Sequence, residues 1–332
     1  VVTLHEVFHL QQYQYDDYLD DPASKWIKEG QARSIQDKIC LGADRSNCQD
    51  FDDVTTGAAD YIAEIGEYMA RPEQSIIRAS YNAVLFWTYL VEKYGTAPDD
   101  DVEGGMNMLV KFWEQADTPP ARDGIAIIND ALAELGHSET FRDVWRDFAV
   151  ANYAKDFDGT PEQEARYHYE DMAQDGGSYA RVKIENDGSK VLGLTDQIVL
   201  PGEYLPDWGA RYYEVLPEPD VPVIDFEITR DDRSPLYFTL LAIKAGQIVK
   251  EENLEGQDLE YSLPNEGYDR VALVVASFEG NANYRLAING QQPSLSIQYP
   301  TSSTRARVGD PSAPDKLRVV VEVLAPDGRP LE

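Results

Sequence analysis

A multidomain α + β chain, all-α in its first half and all-β in its second, is what three observations predict. Apolar residues recur at helical spacing as far as about residue 154. After Asp156 they give way to short β-branched and aromatic runs. Those runs are separated by Gly, Asn, Asp and Pro turns at close to the spacing of an immunoglobulin-like sandwich.

The elements follow in order. A first helix holds His5-Glu6-Val7-Phe8-His9, and a second is expected after the helix-start cluster Asp20-Asp21-Pro22, with Trp26, Ile27, Ile35 and Ile39 as its apolar stripe. Residues 55–70 carry Ile62, Ile65, Tyr68 and Met69 and stop before Pro72. Residues 75–94 form the most apolar helix, with Val84, Leu85, Trp87, Tyr89, Leu90 and Val91, ended by Gly95. Helices are also expected near 101–116, 121–135 and 139–154, the last with Phe141, Val144, Trp145, Phe148 and Ala149 on one face. Roughly seven helices in the first 155 residues are enough to close a core.

Residues 156–194 read as a connecting segment with one or two strands. Strands are expected at 197–200, 223–228, 236–243, 270–277 and 284–288, within a sandwich of residues 195–290 that ends at Gly290-Gln291-Gln292-Pro293. In the final piece, 291–332, the run 317–324 and the turn Pro326-Asp327-Gly328 look like the start of a further β-module. The chain is therefore expected to be a segment of a longer, modular surface protein.

The chemistry concentrates in the first thirty residues. His5 and His9 are two of only four histidines. Positions i and i+4 lie on one helix face, so two imidazoles can grip one tetrahedral zinc while Glu6 faces its water. Nineteen residues separate His9 from Glu29, room for a turn and an antiparallel second helix. Gly30 and Ala32 are small enough to let the two helices approach. Two His and one Glu, with a fourth position left to water, make a catalytic zinc site. The plain alternative is a hydrogen-bonded histidine pair without metal.

The pair His5-Glu6-x-x-His9 and Glu29-Gly30-x-Ala32 resembles the gluzincins, the thermolysin-like zinc peptidases that include the zinc aminopeptidases. The resemblance covers residues 1–155 and is densest over 5–32. It implies a zincin-like helical catalytic domain with His5, His9 and Glu29 as zinc ligands and Glu6 as general base in peptide-bond hydrolysis. It also implies a tyrosine that stabilises the tetrahedral intermediate, for which Tyr81 is the candidate. Three departures stand out. Arg33 occupies the place where thermolysin has an Asp that orients its first histidine. The Gly-rich motif that anchors a substrate amino terminus in aminopeptidases is not present. The N-terminal sheet that holds peptide in that family would lie before Val1. A catalytically weak scaffold in an adhesive surface protein is the competing expectation.

Composition sets the surroundings. A net charge of -31 makes nucleic-acid partners improbable. No run approaches the eighteen apolar residues of a membrane span. Any targeting segment would precede Val1. Cys40 and Cys48 flank a polar loop, and one local disulfide in an exported or cell-surface protein is the better reading against two free thiols. Asp50, Asp52 and Asp53 offer oxygen ligands for calcium but match no full calcium-loop pattern, so a solvated acidic loop is the default. His137 reads as a surface or capping residue and His168 as structural. Expected partners are a peptide or protein substrate and other surface-protein chains or modules.

Overall fold

The computed structural model describes residues 2–15, 24–41, 54–96, 104–118, 123–170, 172, 179–185, 189–230, 236–254, 259–291, 294–295 and 323–324. Seven α-helices among them precede residue 155: α1 (Val2–Gln12), α2 (Lys25–Leu41), α3 (Val54–Ala70), α4 (Val84–Tyr94), α5 (Asn107–Ala116), α6 (Gly124–Glu134) and α7 (Phe141–Ala154). The expected helix over 75–94 is shorter than its apolar pattern. Two single 3₁₀ turns, Ile76–Arg78 and Tyr81–Ala83, occupy its first half. Between them the Asn82 side chain accepts from the Ser80 amide at 3.1 Å, a local bond that competes with helical pairing.

Helix α4 is the hub, buried at nine of its eleven positions. Trp87 stacks on Trp26 of α2 at 5.5 Å and meets Phe112 of α5 edge-on at 5.3 Å. A Cβ on Gly30 would come within 2.6 Å of the Trp87 ring. The glycine therefore admits α4 against α2; the close approach expected of it toward α1 is not its role. Gly105 serves likewise where the chain entering α5 crosses the end of α4. It has φ +82, and a Cβ there would lie 2.1 Å from the Val91 carbonyl oxygen.

The connecting segment 156–194, expected to hold one or two strands, holds β1 (Lys190–Leu192) among its described residues, preceded by a helix that was not expected, α8 (Pro161–Tyr167). Thr160 and Gln163 cap α8 reciprocally. Tyr167, Tyr169, Tyr179 and Val182 from this segment are buried in the helical core.

The remaining strands are β2 (Gln197–Leu205), β3 (Ala210–Pro217), β4 (Val223–Arg230), β5 (Leu236–Lys244), β6 (Gln247–Leu254), β7 (Leu259–Pro264), β8 (Arg270–Ser277) and β9 (Ala282–Gln291). They form one sheet in the order β1-β3-β8-β5-β6 and another in the order β2-β9-β4-β7. Residues of both sheets share one apolar cluster, and the Tyr213 and Tyr284 hydroxyls meet inside it at 2.8 Å. Neighbours are antiparallel apart from the short parallel β1–β3 pair. The immunoglobulin-like expectation needs correcting. Two interlocked four-strand sets, 2-9-4-7 and 3-8-5-6, make the jelly-roll order and not the immunoglobulin order. A two-residue ladder pairs β10 (Ser294–Leu295) with β11 (Val323–Leu324).

The helices do not form a separate core. Their cluster continues into Ala210, Tyr212, Leu241, Ile243, Ala272, Val274 and Ala276, on the outward face of the five-stranded sheet. Strands β5 and β8 are therefore apolar on both faces, which is why they read as nearly continuous runs; β3 is buried on both faces as well, but Arg211 and Glu214 interrupt it. The Tyr212 hydroxyl donates to the Ala149 carbonyl of α7 at 2.8 Å, and Trp208 packs on Phe141 at 4.6 Å.

A buried charge centre lies on the same seam. The fully buried Glu214 carboxylate accepts from Tyr153 of α7, from Ser189, from Arg181 at 2.6 Å and from Arg270 at 3.2 Å. Burial alone would raise its pKa; the Ser189 and Tyr153 bonds and the two guanidiniums outweigh that and hold it below the usual value. A carboxyl lowered on folding stabilises the protein above its unfolded pKa, and that contribution is lost as pH falls through the folded value. Glu214→Gln should thus flatten the acid limb of urea-measured stability as pH falls below the ordinary carboxylate range. An unaltered slope would remove Glu214 from that account.

Candidate metal centre

Helices α1 and α2 lie side by side and turn three electron-pair donors toward one point. His5 Nε2 is 3.2 Å from Glu29 Oε2, His9 Nε2 is 3.3 Å from the same oxygen, and the two Nε2 atoms are 3.0 Å apart. A tetrahedral ion held about 2.0–2.1 Å from each ligand places its ligand atoms about 3.3–3.4 Å apart. The observed triangle has the size of one face of that tetrahedron, so the residues fit a zinc ion. Among the described residues this is the one His/Cys/Asp/Glu group close enough to share a metal.

The electrostatics agree with a cation at that point. Hydrogen bonds with the two histidines hold the Glu29 carboxyl far below its ordinary pKa, so it is ionised. Burial opposes charge on His9, yet its bonds to Glu29 and Gln12 raise its pKa above the usual imidazole value. Protons and metal ions therefore compete for the same three atoms.

Both rings are buried, but Glu6 on the next helical position is exposed, as are Val7 and Leu10. Tyr81, on the second 3₁₀ turn, lies over the open side with its ring 5.7 Å from His5. Burial, then the nearby carboxylates of Glu29 and Glu6, raise its pKa. Its hydroxyl therefore keeps its proton and can donate a hydrogen bond at neutral pH. The Arg33 guanidinium covers the Tyr81 ring at 5.1 Å.

The second sphere is unequal. His9 Nδ1 donates to Gln12 Oε1 at 2.7 Å, whereas the buried His5 Nδ1 has no hydrogen-bond partner among the described residues. Arg33, at the place of an orienting carboxylate, instead donates to Gln36 at 3.0 Å. Gln12 and Gln31 are site residues that sequence reasoning missed. The visible signal was Gln12 itself, three residues past His9 and hence on its face of the helix.

The other two histidines sit elsewhere. His137 Nε2 donates to the Tyr94 carbonyl at 2.7 Å, and His168 Nε2 to the Phe157 carbonyl at 2.9 Å. Both tie loops to helix ends, as their sequence setting suggested. Cys40 falls in the last turn of α2. Its pairing with Cys48, and the calcium reading of Asp50, Asp52 and Asp53, fall outside the described residues. No described helix is long and apolar enough to cross a membrane.

No protein-family profile and no curated protein matches the chain. Among solved structures it is similar over 30% of its length to 94% of the pre-peptidase C-terminal domain of a Bacillus anthracis collagenase, at 13% identity and a TM-score of 0.23. It is similar over 31% of its length to 98% of PliG, a periplasmic lysozyme inhibitor of Aeromonas hydrophila, at 10% identity and a TM-score of 0.21. A family GH115 4-O-methyl-α-glucuronidase overlaps 71% of the chain and 33% of its own, at 10% identity and a TM-score of 0.20. Likenesses at these scores define neither family nor function.

Proposed function

We propose that the chain is a zinc-dependent peptidase of gluzincin type, acting as an exported or cell-surface protein, with the jelly-roll sheets as an appended sandwich module. The observation that carries this reading is the closed triangle of His5 Nε2, His9 Nε2 and Glu29 Oε2. Bound there, zinc would act as a Lewis acid and bring the pKa of a water ligand toward neutrality. Glu6, exposed beside the triangle, takes the proton of the attacking water and returns it to the leaving amine. The protonated Tyr81 hydroxyl donates to the oxygen that gains charge as the scissile carbonyl becomes tetrahedral. His9 is kept in place by Gln12, and Glu29 by its position one turn into the α2 face that meets α1.

Metal analysis of the purified chain is expected to find about one zinc per molecule. His5→Ala combined with Glu29→Ala should remove it, with helix content retained. Stoichiometric zinc surviving that double change would overturn the ligand set. Cleavage of a broad peptide library, abolished by chelator and restored by zinc, is the matching test of activity. Zinc without cleavage would leave the chain as a metal-holding scaffold in a surface protein.

A further inference from the structure

Behind His9 runs a chain of buried amides whose direction can be read from donor and acceptor chemistry. It begins at Trp113 of α5. An indole Nε1–H can only donate, and it lies 2.8 Å from Gln31 Oε1. The Gln31 amide therefore presents its oxygen to Trp113, because the flipped amide would set two donors against each other. Gln12 Nε2 lies 3.4 Å from that same oxygen and 3.3 Å from the Lys28 carbonyl oxygen. Both are acceptors, so the Gln12 end that faces them is its NH₂. Its oxygen must then face His9, where it stands 2.7 Å from Nδ1. An oxygen accepts, so Nδ1 carries the proton. Gln12 and Gln31 are 1% and 0% exposed.

We infer that Trp113, Gln31 and Gln12 act as positioning residues that lock His9 in its Nδ1–H tautomer and so turn an unprotonated Nε2 toward Glu29 and His5. This rests on the zinc reading for its purpose but not for its geometry. The ring nitrogen that binds a metal is set by the bond its partner nitrogen makes. Here that choice is made jointly by the Lys28 carbonyl and by a donor two amides away on a different helix. His5 has no such support at Nδ1. The two ligands therefore differ: His9 is pre-oriented, and His5 is aligned by its packing against the His9 and Tyr81 rings, at 4.5 and 5.7 Å.

The test has two readouts. In the metal-free chain at alkaline pH, where the imidazoles are neutral, ¹⁵N resonances should show His9 protonated at Nδ1 and bare at Nε2. Zinc affinity by chelator competition should fall about 10- to 100-fold in Gln12→Leu, the usual scale for losing such a partner. Gln12→Glu, which keeps an acceptor on Nδ1–H but sets its second oxygen against Gln31 Oε1 and the Lys28 carbonyl, should retain the Nδ1–H tautomer and lose less affinity than Gln12→Leu. Trp113→Phe, which keeps the ring and deletes the donor, should admit some Nε2–H tautomer and weaken zinc by less. Should Gln12→Leu not fold, the tautomers of the unaltered chain and of Gln12→Glu still decide. His9 protonated at Nε2 in the unaltered chain would overturn the relay, whether or not zinc binds. So would a folded Gln12→Leu with undiminished affinity. A chain with the Nδ1–H tautomer that binds no zinc would keep the relay and remove the peptidase reading.

Discussion

Glu6→Gln is expected to lower peptide hydrolysis by about 10²- to 10⁴-fold while zinc stoichiometry stays unchanged. Glutamine matches the length and polarity of the side chain but cannot accept a proton. The position is exposed. Stability should therefore move by less than about 0.5 kcal/mol. The ligands on either side, His5 and His9, are buried and held by Glu29 and Gln12, so the metal has no reason to leave. Initial rates on a cleaved library peptide, paired with zinc content of the same preparation, give the result. Turnover near the parent rate would rule out Glu6 as the base.

Trp87→Ala should destabilise the protein by about 3–5 kcal/mol, the range for truncating a large buried aromatic. Trp87 is fully buried at the centre of the helical layer, between Trp26, Phe86 and Phe112. Its indole nitrogen also donates to the Trp26 carbonyl at 2.7 Å, and removal would leave that buried oxygen short of a partner. The Cα of Gly30 lies against the ring, so the space could be refilled only by moving α2, which carries Glu29. The urea midpoint of the metal-free chain should fall accordingly, with the denaturant slope retained. A loss below about 1 kcal/mol would mean that the layer collapses freely around the gap.

Much of this was legible in the residues. His5 and His9 at helical spacing, with Glu29 twenty positions beyond His9, identify the three atoms that meet. Local periodicity located the seven helices because each has one apolar stripe facing a common core. Five strands were legible as β-branched runs, and three were not. β6, Gln247–Leu254, carries Lys250, Glu251, Glu252 and Asn253 and sits at a sheet edge, so its alternation is weak. β7, Leu259–Pro264, is an edge strand of the other sheet with only Leu263 deeply buried. β3, Ala210–Pro217, is buried on both faces but holds Arg211 and Glu214, so it shows neither a period of two nor an unbroken apolar run.

What lay beyond the sequence has one cause: pairing between distant segments leaves no local trace. Alternation says that a strand has an inner face but not which strand lies beside it, so an immunoglobulin order was expected where a jelly-roll order formed. The small residue Gly30 announces a close approach, and only the packed helices show that α4 is what approaches. Gln12 could be placed on the metal face of α1 by counting. That its oxygen and not its nitrogen faces His9 was decided by the Lys28 carbonyl, by Gln31 and by an indole 82 positions beyond Gln31. The residues by themselves determined which atoms can hold a metal; the tertiary structure decided their separation, their polarity and which of them is braced.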